Sequence, residues 1–314
     1  MVRIFFASDV HGSEVCFKKF LNAGKVYQAD ATILGGDLTG KMIVPIVKQG
    51  AGYVSEFSGR TWNISSDKEI DSLSKMIRDS GYYPYVTDEA EMEELNADKS
   101  RVDKLFSELM VETMRRWVNM ADERLKGTNI SCYITPGNDD RFAIDKVIEE
   151  SQCVENPEGE VVLVKGEHEM ISTGFSNPTP WKTPREITEE QLEKKIEEMT
   201  SKVKDMNKCI FNFHCPPYDT SIDSAPQLDE NLKIVTKAGQ MLMIPAGSVA
   251  VRNSIKRQQP LLGLHGHIHE SKGAVKIGKT LCLNPGSEYN EGILRGVIVN
   301  LKNASGKSYL FTSG

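Results

Sequence analysis

The stretch Val2-Arg3-Ile4-Phe5-Phe6-Ala7-Ser8-Asp9-Val10-His11-Gly12 opens the chain with a compact, largely apolar run. It ends in two polar residues spaced two apart and a glycine. This is the pattern of a buried strand that delivers polar side chains at its C-terminal end. Residues 14–24 then read as a helix, and the pattern returns. ATILG at 31–35 ends in Gly36-Asp37, and ISCYIT at 130–135 ends in Pro136-Gly137-Asn138-Asp139-Asp140. KCIFNF at 208–213 runs into His214-Cys215-Pro216-Pro217, and residues 261–264 run into His265-Gly266-His267-Ile268-His269. In open α/β sheets ligands gather beyond the carboxyl ends of the strands. The repetition therefore predicts an α/β fold whose polar loops converge on one site.

The regular alternation breaks between Gly40 and Gly127. Residues 88–124 are rich in helix formers, with Met92, Leu95, Val102, Leu105, Leu109, Met110, Met114 and Trp117 at helical spacings. The spacing predicts a helical insertion over residues 41–128 within a single domain that spans residues 1–314. A second helix is expected over residues 186–205, with Leu192, Ile196, Met199 and Val203 on one face and a solvated charge run on the other. Residues 274–311 alternate short apolar stretches with turns at Gly278-Lys279 and Asn303-Ala304-Ser305-Gly306, as hairpins do. They are expected to close the sheet.

With 314 residues, 39% hydrophobic and 26% charged, the composition is that of an ordinary globular protein. The formal charge of −6 does not favour attraction to nucleic acid or to an anionic membrane. Basic residues occur only as scattered pairs such as Arg115-Arg116 and Lys256-Arg257. The first apolar run meets Asp9 too early for a signal-peptide core or a membrane span. Cys16, Cys132, Cys153, Cys209, Cys215 and Cys282 are dispersed singly, without a metal or disulfide spacing, and read as reduced, mostly buried thiols. A cytoplasmic location is expected.

The polar residues at the strand ends are Asp9, His11, Asp37, Asn138, His214, His267 and His269. A mixed set of carboxylates, an amide and imidazoles suits manganese, iron, zinc or cobalt, with manganese favoured, rather than a thiolate-bound structural zinc. Seven such groups exceed what one tetrahedral ion uses, and two adjacent ions sharing a carboxylate are the natural solution. Ions about 3.5–4 Å apart clamp the attacking and leaving oxygens of an in-line displacement at phosphorus. In Asp9-x-His11 and His267-x-His269 an extended backbone points both side chains the same way. Gly36, Gly137 and Gly266 are expected to let the backbone turn tightly beside the site.

Asp9-x-His11, Gly36-Asp37, Gly137-Asn138-Asp139-Asp140, His214 and Gly266-His267-Ile268-His269, in this order, resemble the five-part signature of calcineurin-like metallophosphoesterases. Asn284-Pro285-Gly286-Ser287 is similar to the loop after the last metal motif in predicted bacterial and archaeal Icc-related phosphoesterases. The resemblance implies a four-layer α/β sandwich and two divalent ions. It assigns Asp9, His11 and His269 to one ion, Asn138, His214 and His267 to the other, and Asp37 as the bridge. It further implies a metal-bridging hydroxide as nucleophile.

The family usually has His after the Asn of its third motif, where this chain has Asp139. Two nearby cations should lower a carboxyl pKa, making Asp139 a weak general acid at neutral pH. Substrates whose leaving group needs protonation should therefore react poorly, which favours phosphodiesters. Asp139 is left to orient water or to bind a further cation. Asp140 is expected to hydrogen-bond a ligand. Asn138, Asp139 and Asp140 are thus the residues expected nearest to the chemistry.

Singly, these residues have ordinary explanations: Asp9 as a helix cap, Asn138 and Asp139 as a turn, His214 as a satisfied core histidine. Jointly those fail, because four of the six histidines fall at the motif positions, each ending an apolar run. His265 reads as structural and His168 as exposed in a charged turn. Trp181 reads as a buried aromatic holding a proline-rich loop, and Tyr82, Tyr83 and Tyr85 as packing residues. Cys215 is set aside as a nucleophile, since it has no base of its own in the sequence.

The expected function is metal-dependent hydrolysis of a small phosphate ester, with diesters favoured. The alternatives are a non-catalytic binding platform that keeps the fold, or a phosphomonoesterase or nuclease with the same metal site. A nucleic-acid or membrane partner is not expected. The insertion is expected to shape substrate choice or to form a homodimer.

Overall fold

A computed structural model describes residues 1–302 and 306–314. Two six-stranded sheets carry the fold. In the first the strands run in the order Gly306–Ser313, Arg295–Lys302, Val2–Ala7, Ala31–Gly35, Ser131–Thr135 and Val154–Glu155. In the second the order is Gly273–Ile277, Thr280–Asn284, Leu262–Leu264, Ile210–Phe213, His168–Thr173 and Val161–Val164. The central strands of each sheet are parallel; antiparallel strands close both edges of the second sheet and one edge of the first, whose other edge, Val154–Glu155, is parallel to its neighbour. Every strand that ends in a polar loop thus lies mid-sheet, where its carboxyl end is flanked by others.

Alternation along Val2–Ala7 sends its side chains into two different cores. Val2, Ile4 and Phe6 join Ile33 of the first sheet and Met170, Ile210, Leu262, Leu264 and Leu283 of the second in one buried cluster. Phe5 and Ala7 belong to another cluster, with Phe17 and Phe20 of the helix Glu14–Val26 and Met110, Met114 and Trp117 of the helix Lys99–Leu125. In a third, Ile171, Phe211 and Phe213 pack with Leu192, Ile196 and Met199 of the helix Glu189–Thr200 and with Val251 and Ile255 of the helix Val249–Gln258. A strand buried on both faces has no polar face, which is why these strands read as continuous apolar runs.

The expectation of a helical segment over residues 41–128 is corrected by the structure. Ile43–Gln49, Gly52–Phe57, Arg60–Ile64 and Tyr83–Asp88 form a four-stranded sheet there. Its core is Val44, Ile46, Ile64, Leu73 and Ile77, the last two from the helix Asp67–Asp79. The helices Glu89–Ala97 and Lys99–Leu125 follow, and the second packs on the main core. These strands are half-exposed and mix polar with apolar residues, and Pro45 sits inside the first, so they do not read as buried strands. The hairpin Gly273–Ile277 with Thr280–Asn284 is present, as is the antiparallel pairing of Arg295–Lys302 with Gly306–Ser313. The expected turn at residues 303–306 falls partly outside the described residues. Among the described residues no helix is long and apolar enough to cross a membrane, and all six cysteines are free.

Candidate metal centre

Loops at the carboxyl ends of both sheets are laced together by backbone bonds. Asp9 N–H donates to Gly36 O at 3.0 Å, His11 N–H to Asp37 O at 2.9 Å, and Gly266 N–H to His214 O at 2.9 Å. Gly266 has no room for a side chain, since a Cβ there would lie 2.0 Å from Ser8 Oγ and 2.4 Å from Asp9 Oδ2. The requirement at this glycine is close approach rather than backbone freedom. Asn284 supports the same loop through Nδ2, which donates to Gly266 O at 3.3 Å and Ile268 O at 3.0 Å, and Ser287 Oγ donates to Asp9 O at 2.6 Å.

The structure brings all seven expected ligands together. Asp9, His11 and His269 form one group whose ligand atoms lie within 4.8 Å of one another, and Asp37, His214 and His267 form a second. Asp37 also faces the first group, with Oδ2 3.5 Å from His11 Nε2, while its Oδ1 is 3.4 Å from His214 Nε2. Asn138 Oδ1 lies 3.0 Å from His214 Nε2. Its amide is oriented by Nδ2, which donates to Thr183 Oγ1 at 2.8 Å.

Two close approaches bear on the chemistry. His214 Nδ1 lies 2.8 Å from Gly35 O, which can only accept, so Nδ1 carries the proton. In the neutral ring the lone pair of Nε2 then faces the lone pairs of Asn138 Oδ1. His11 Nε2 and His269 Nε2 are likewise 3.0 Å apart. Lone pairs so arranged require a proton or a metal cation to satisfy both. The donor set and its spacing therefore fit divalent ions.

The protonation pattern follows from crowding. Burial opposes charge on His214, yet Asp37 and Asp9 raise it to about 10. Burial and the neighbouring His214 lower His267 to about 4. Burial would raise Asp9, but its bond with His269 and the charges of His214 and His269 pull it down to about 2. Asp37 is held well below the carboxylate range against the same burial by His214 and His11. Cations binding here must displace protons from imidazoles.

Asp139 titrates, in the absence of cations, in the opposite direction from its acidic neighbours Asp9 and Asp37. Burial and the charge of Asp37 raise it to about 6, with Lys41 pulling the other way. Its backbone N–H donates to Asp37 Oδ1 at 3.0 Å, and Lys41 Nζ sits 3.0 Å from its Oδ2. Asp140, expected to bond a ligand side chain, is fully buried and instead braces backbone. Its carboxylate accepts from Leu38 N, Thr39 N, Thr39 Oγ1 and Gly137 N at 2.6–3.1 Å, tying the Asp37 loop to the Asn138 loop. That places Asp140 away from direct chemistry.

Two residues at the site were not read from the sequence. Lys41 follows Gly40 with no partner in its own segment, and its role depends on Asp139, which is remote in sequence. The ring of Tyr289 packs 4.7 Å from that of His11 and 5.9 Å from that of His269. Only its position four residues after Pro285 could have signalled it.

The expectations for His168 and Trp181 are corrected, while His265, Tyr83 and Cys215 agree with theirs. His168 is buried at the start of a strand, with Nδ1 3.2 Å from Lys208 O, rather than exposed. Trp181 is 61% exposed rather than buried. His265 is fully buried, with Nδ1 2.8 Å from Phe213 O. Tyr83 is buried, and its hydroxyl accepts from Gly40 N–H at 2.8 Å. Burial pushes the Cys215 thiol up, which disfavours the nucleophilic thiolate.

No model of a known protein family matches the chain. An uncharacterized protein of Methanocaldococcus jannaschii is 32% identical over 118 residues, which is 37% of this chain and 47% of that protein. The chain thus spans about half the length of the curated relative it matches. One crystal structure overlays with a TM-score of 0.57 at 15% identity, covering 98% of each chain. Another, TT1561 of Thermus thermophilus, overlays with a TM-score of 0.52 at 14% identity, covering 100% of this chain and 98% of that one. At such identity the likeness concerns the fold, which is α/β. An archaeal phosphodiesterase also overlays, at 11% identity and a TM-score of 0.33, too low to carry weight.

Proposed function

We propose that this protein is a metal-dependent phosphoesterase of the calcineurin-like metallophosphoesterase type, acting on a small phosphate ester with phosphodiesters favoured. The observation that carries the reading is the convergence of Asp9, His11, Asp37, Asn138, His214, His267 and His269 from five loops, with lone-pair atoms at ligand spacing. In this reading Asp9, His11 and His269 hold one ion and Asn138, His214 and His267 the other, with Asp37 between them. The three core clusters support a four-layer order of helices, sheet, sheet and helices.

Bound there, two divalent ions, with manganese favoured, would supply Lewis acidity toward the phosphoryl oxygens and a water of lowered pKa as nucleophile. The chain's own residues do the rest. Asp140 fixes the spacing of the two loops that carry Asp37 and Asn138, and Gly35 O and Thr183 orient His214 and Asn138. No histidine stands at position 139 to protonate a leaving group, so esters with good leaving groups and diesters are the substrates this site suits. The free thiols support a cytoplasmic location, and the net charge of −6 supports a small-molecule substrate over nucleic acid or membrane. A homodimer through residues 41–128 belongs to the same proposal.

The test is hydrolysis of an aryl phosphodiester and an aryl phosphomonoester by metal-stripped protein resupplied with manganese, beside Asp37→Asn. Manganese-dependent cleavage, faster on the diester and lost in the variant, is expected. Absence of turnover with any divalent metal would overturn the enzymatic reading in favour of a binding platform.

A further inference from the structure

If His11 gives Nε2 to an ion, its proton resides on Nδ1. That atom is buried and has no hydrogen-bond partner among the described residues. The group facing it is Asp139 Oδ2, at 3.8 Å. The same oxygen is 3.0 Å from Lys41 Nζ, and Asp139 is held beside Asp37 by its backbone bond of 3.0 Å. Buried N–H groups are rarely left unpaired, and an imidazole that binds a metal through one nitrogen ordinarily donates the other to a carboxylate or carbonyl.

We propose that Asp139 is the hydrogen-bond acceptor for His11 Nδ1–H, a positioning residue for the first metal ligand set, with Lys41 as its counter-ion. This rests on the metal-site reading above. Closing the gap by about 1 Å brings the pair to an ordinary charge-assisted bond. Such a bond fixes the His11 tautomer with its Nε2 lone pair toward His269 Nε2, 3.0 Å away. Asp139 also forms a group with His11 and Asp37 that could hold an ion directly. The geometry disfavours that role: the carboxylate meets Nδ1, while Nε2 faces the other ligands, and one ring does not offer both nitrogens to one ion. On this account the aspartate at position 139 serves the ligand itself and not the leaving group.

The experiment is calorimetric titration of manganese into metal-stripped wild type, Asp139→Asn and Asp139→Ala, with the visible spectrum of each cobalt-loaded protein. Wild type should take two ions per chain. Asp139→Ala should bind one of them about 10- to 100-fold more weakly, as loss of such outer hydrogen bonds does, and keep the other. Asp139→Asn retains a carbonyl oxygen as acceptor and the side-chain size, and should lose less. The cobalt band envelope should be unchanged in both variants, because no ligand is removed. Wild-type affinity for both ions in Asp139→Ala would overturn the proposal while leaving the metal site intact. A cobalt spectrum of lower coordination number in the variants would overturn it in favour of direct ligation. A wild-type chain that takes up no ion would overturn the metal-site reading beneath it.

Discussion

Asp9, His11, Asp37 and His267 all hold left-handed backbone, with φ of 56°, 39°, 52° and 69°, rather than the extended backbone expected at Asp9-x-His11 and His267-x-His269. Each costs of order 1–3 kcal/mol and persists only where the surroundings over-determine it. Here the surroundings are the bonds between loops, and the gain is that carboxylates and imidazoles turn inward at the strand ends. One contact makes this testable. Gly81 holds φ +88°, and a Cβ there would lie 2.3 Å from His11 O. Gly81→Ala should therefore destabilise the fold by about 1–3 kcal/mol and weaken manganese binding, read by thermal denaturation and by calorimetry. A variant with wild-type melting temperature and wild-type metal affinity would show that the segment around Gly81 does not brace His11. The candidate ligands themselves were legible in the sequence, because Asp, His and Asn after an apolar run have few other reasons to recur. Lys41 and Tyr289 were not legible, because their partners Asp139 and His11 meet them only through tertiary packing.

At the scale of elements, the helix Glu14–Val26 joins the site to the segment over residues 41–128. Glu14 is 2.6 Å from Lys18 and 2.9 Å from Arg116, and Arg78 of the helix Asp67–Asp79 lies 3.7 Å away. Burial would raise this carboxyl, but the Lys18 bond and the Arg116 charge lower it below its ordinary value. The folded pKa is depressed, so the stabilisation is present above the unfolded value of about 4.3 and is lost as pH falls through the folded one. Glu14→Gln should melt below wild type at pH 7, with the difference shrinking under pH 4; a constant gap would contradict the ion-pair account. The helix Lys99–Leu125 depends on packing instead, with Trp117 stacked 4.1 Å from Phe17 and 1% exposed. Trp117→Ala should cost about 3–5 kcal/mol in denaturant unfolding, and a loss under 1 kcal/mol would show that the helix does not anchor there. The periodicity of Met110, Met114 and Trp117 made this helix readable, just as the apolar runs at residues 2–8, 31–35, 130–135, 208–213 and 261–264 made the central strands readable. The sheet at residues 43–88 escaped the same reading. Its strands are half-exposed, Pro45 interrupts the first of them, and their pairing is set by turns at Gly50 and at Ser58-Gly59, where φ is positive.

For the molecule as a whole, candidate ligands drawn from both sheets would link metal binding to folding. An ion that binds only the folded chain stabilises it by about 2.7 kcal/mol at a hundredfold excess over its dissociation constant. Manganese should therefore raise the melting temperature of metal-stripped protein and a chelator should reverse the rise, whereas an unchanged melting temperature would mean that the loops do not form one site. The chain order of the motifs announced such convergence. How the apolar runs divide among three core clusters could not be read from runs that are apolar on both faces alike. The most direct measurement of the central claim is anomalous diffraction at the manganese edge from crystals of manganese-loaded protein. Two peaks per chain about 3.5–4 Å apart are expected, one beside Asp9, His11 and His269, the other beside Asn138, His214 and His267, with Asp37 between them. A single peak, or none among these residues, would contradict that claim.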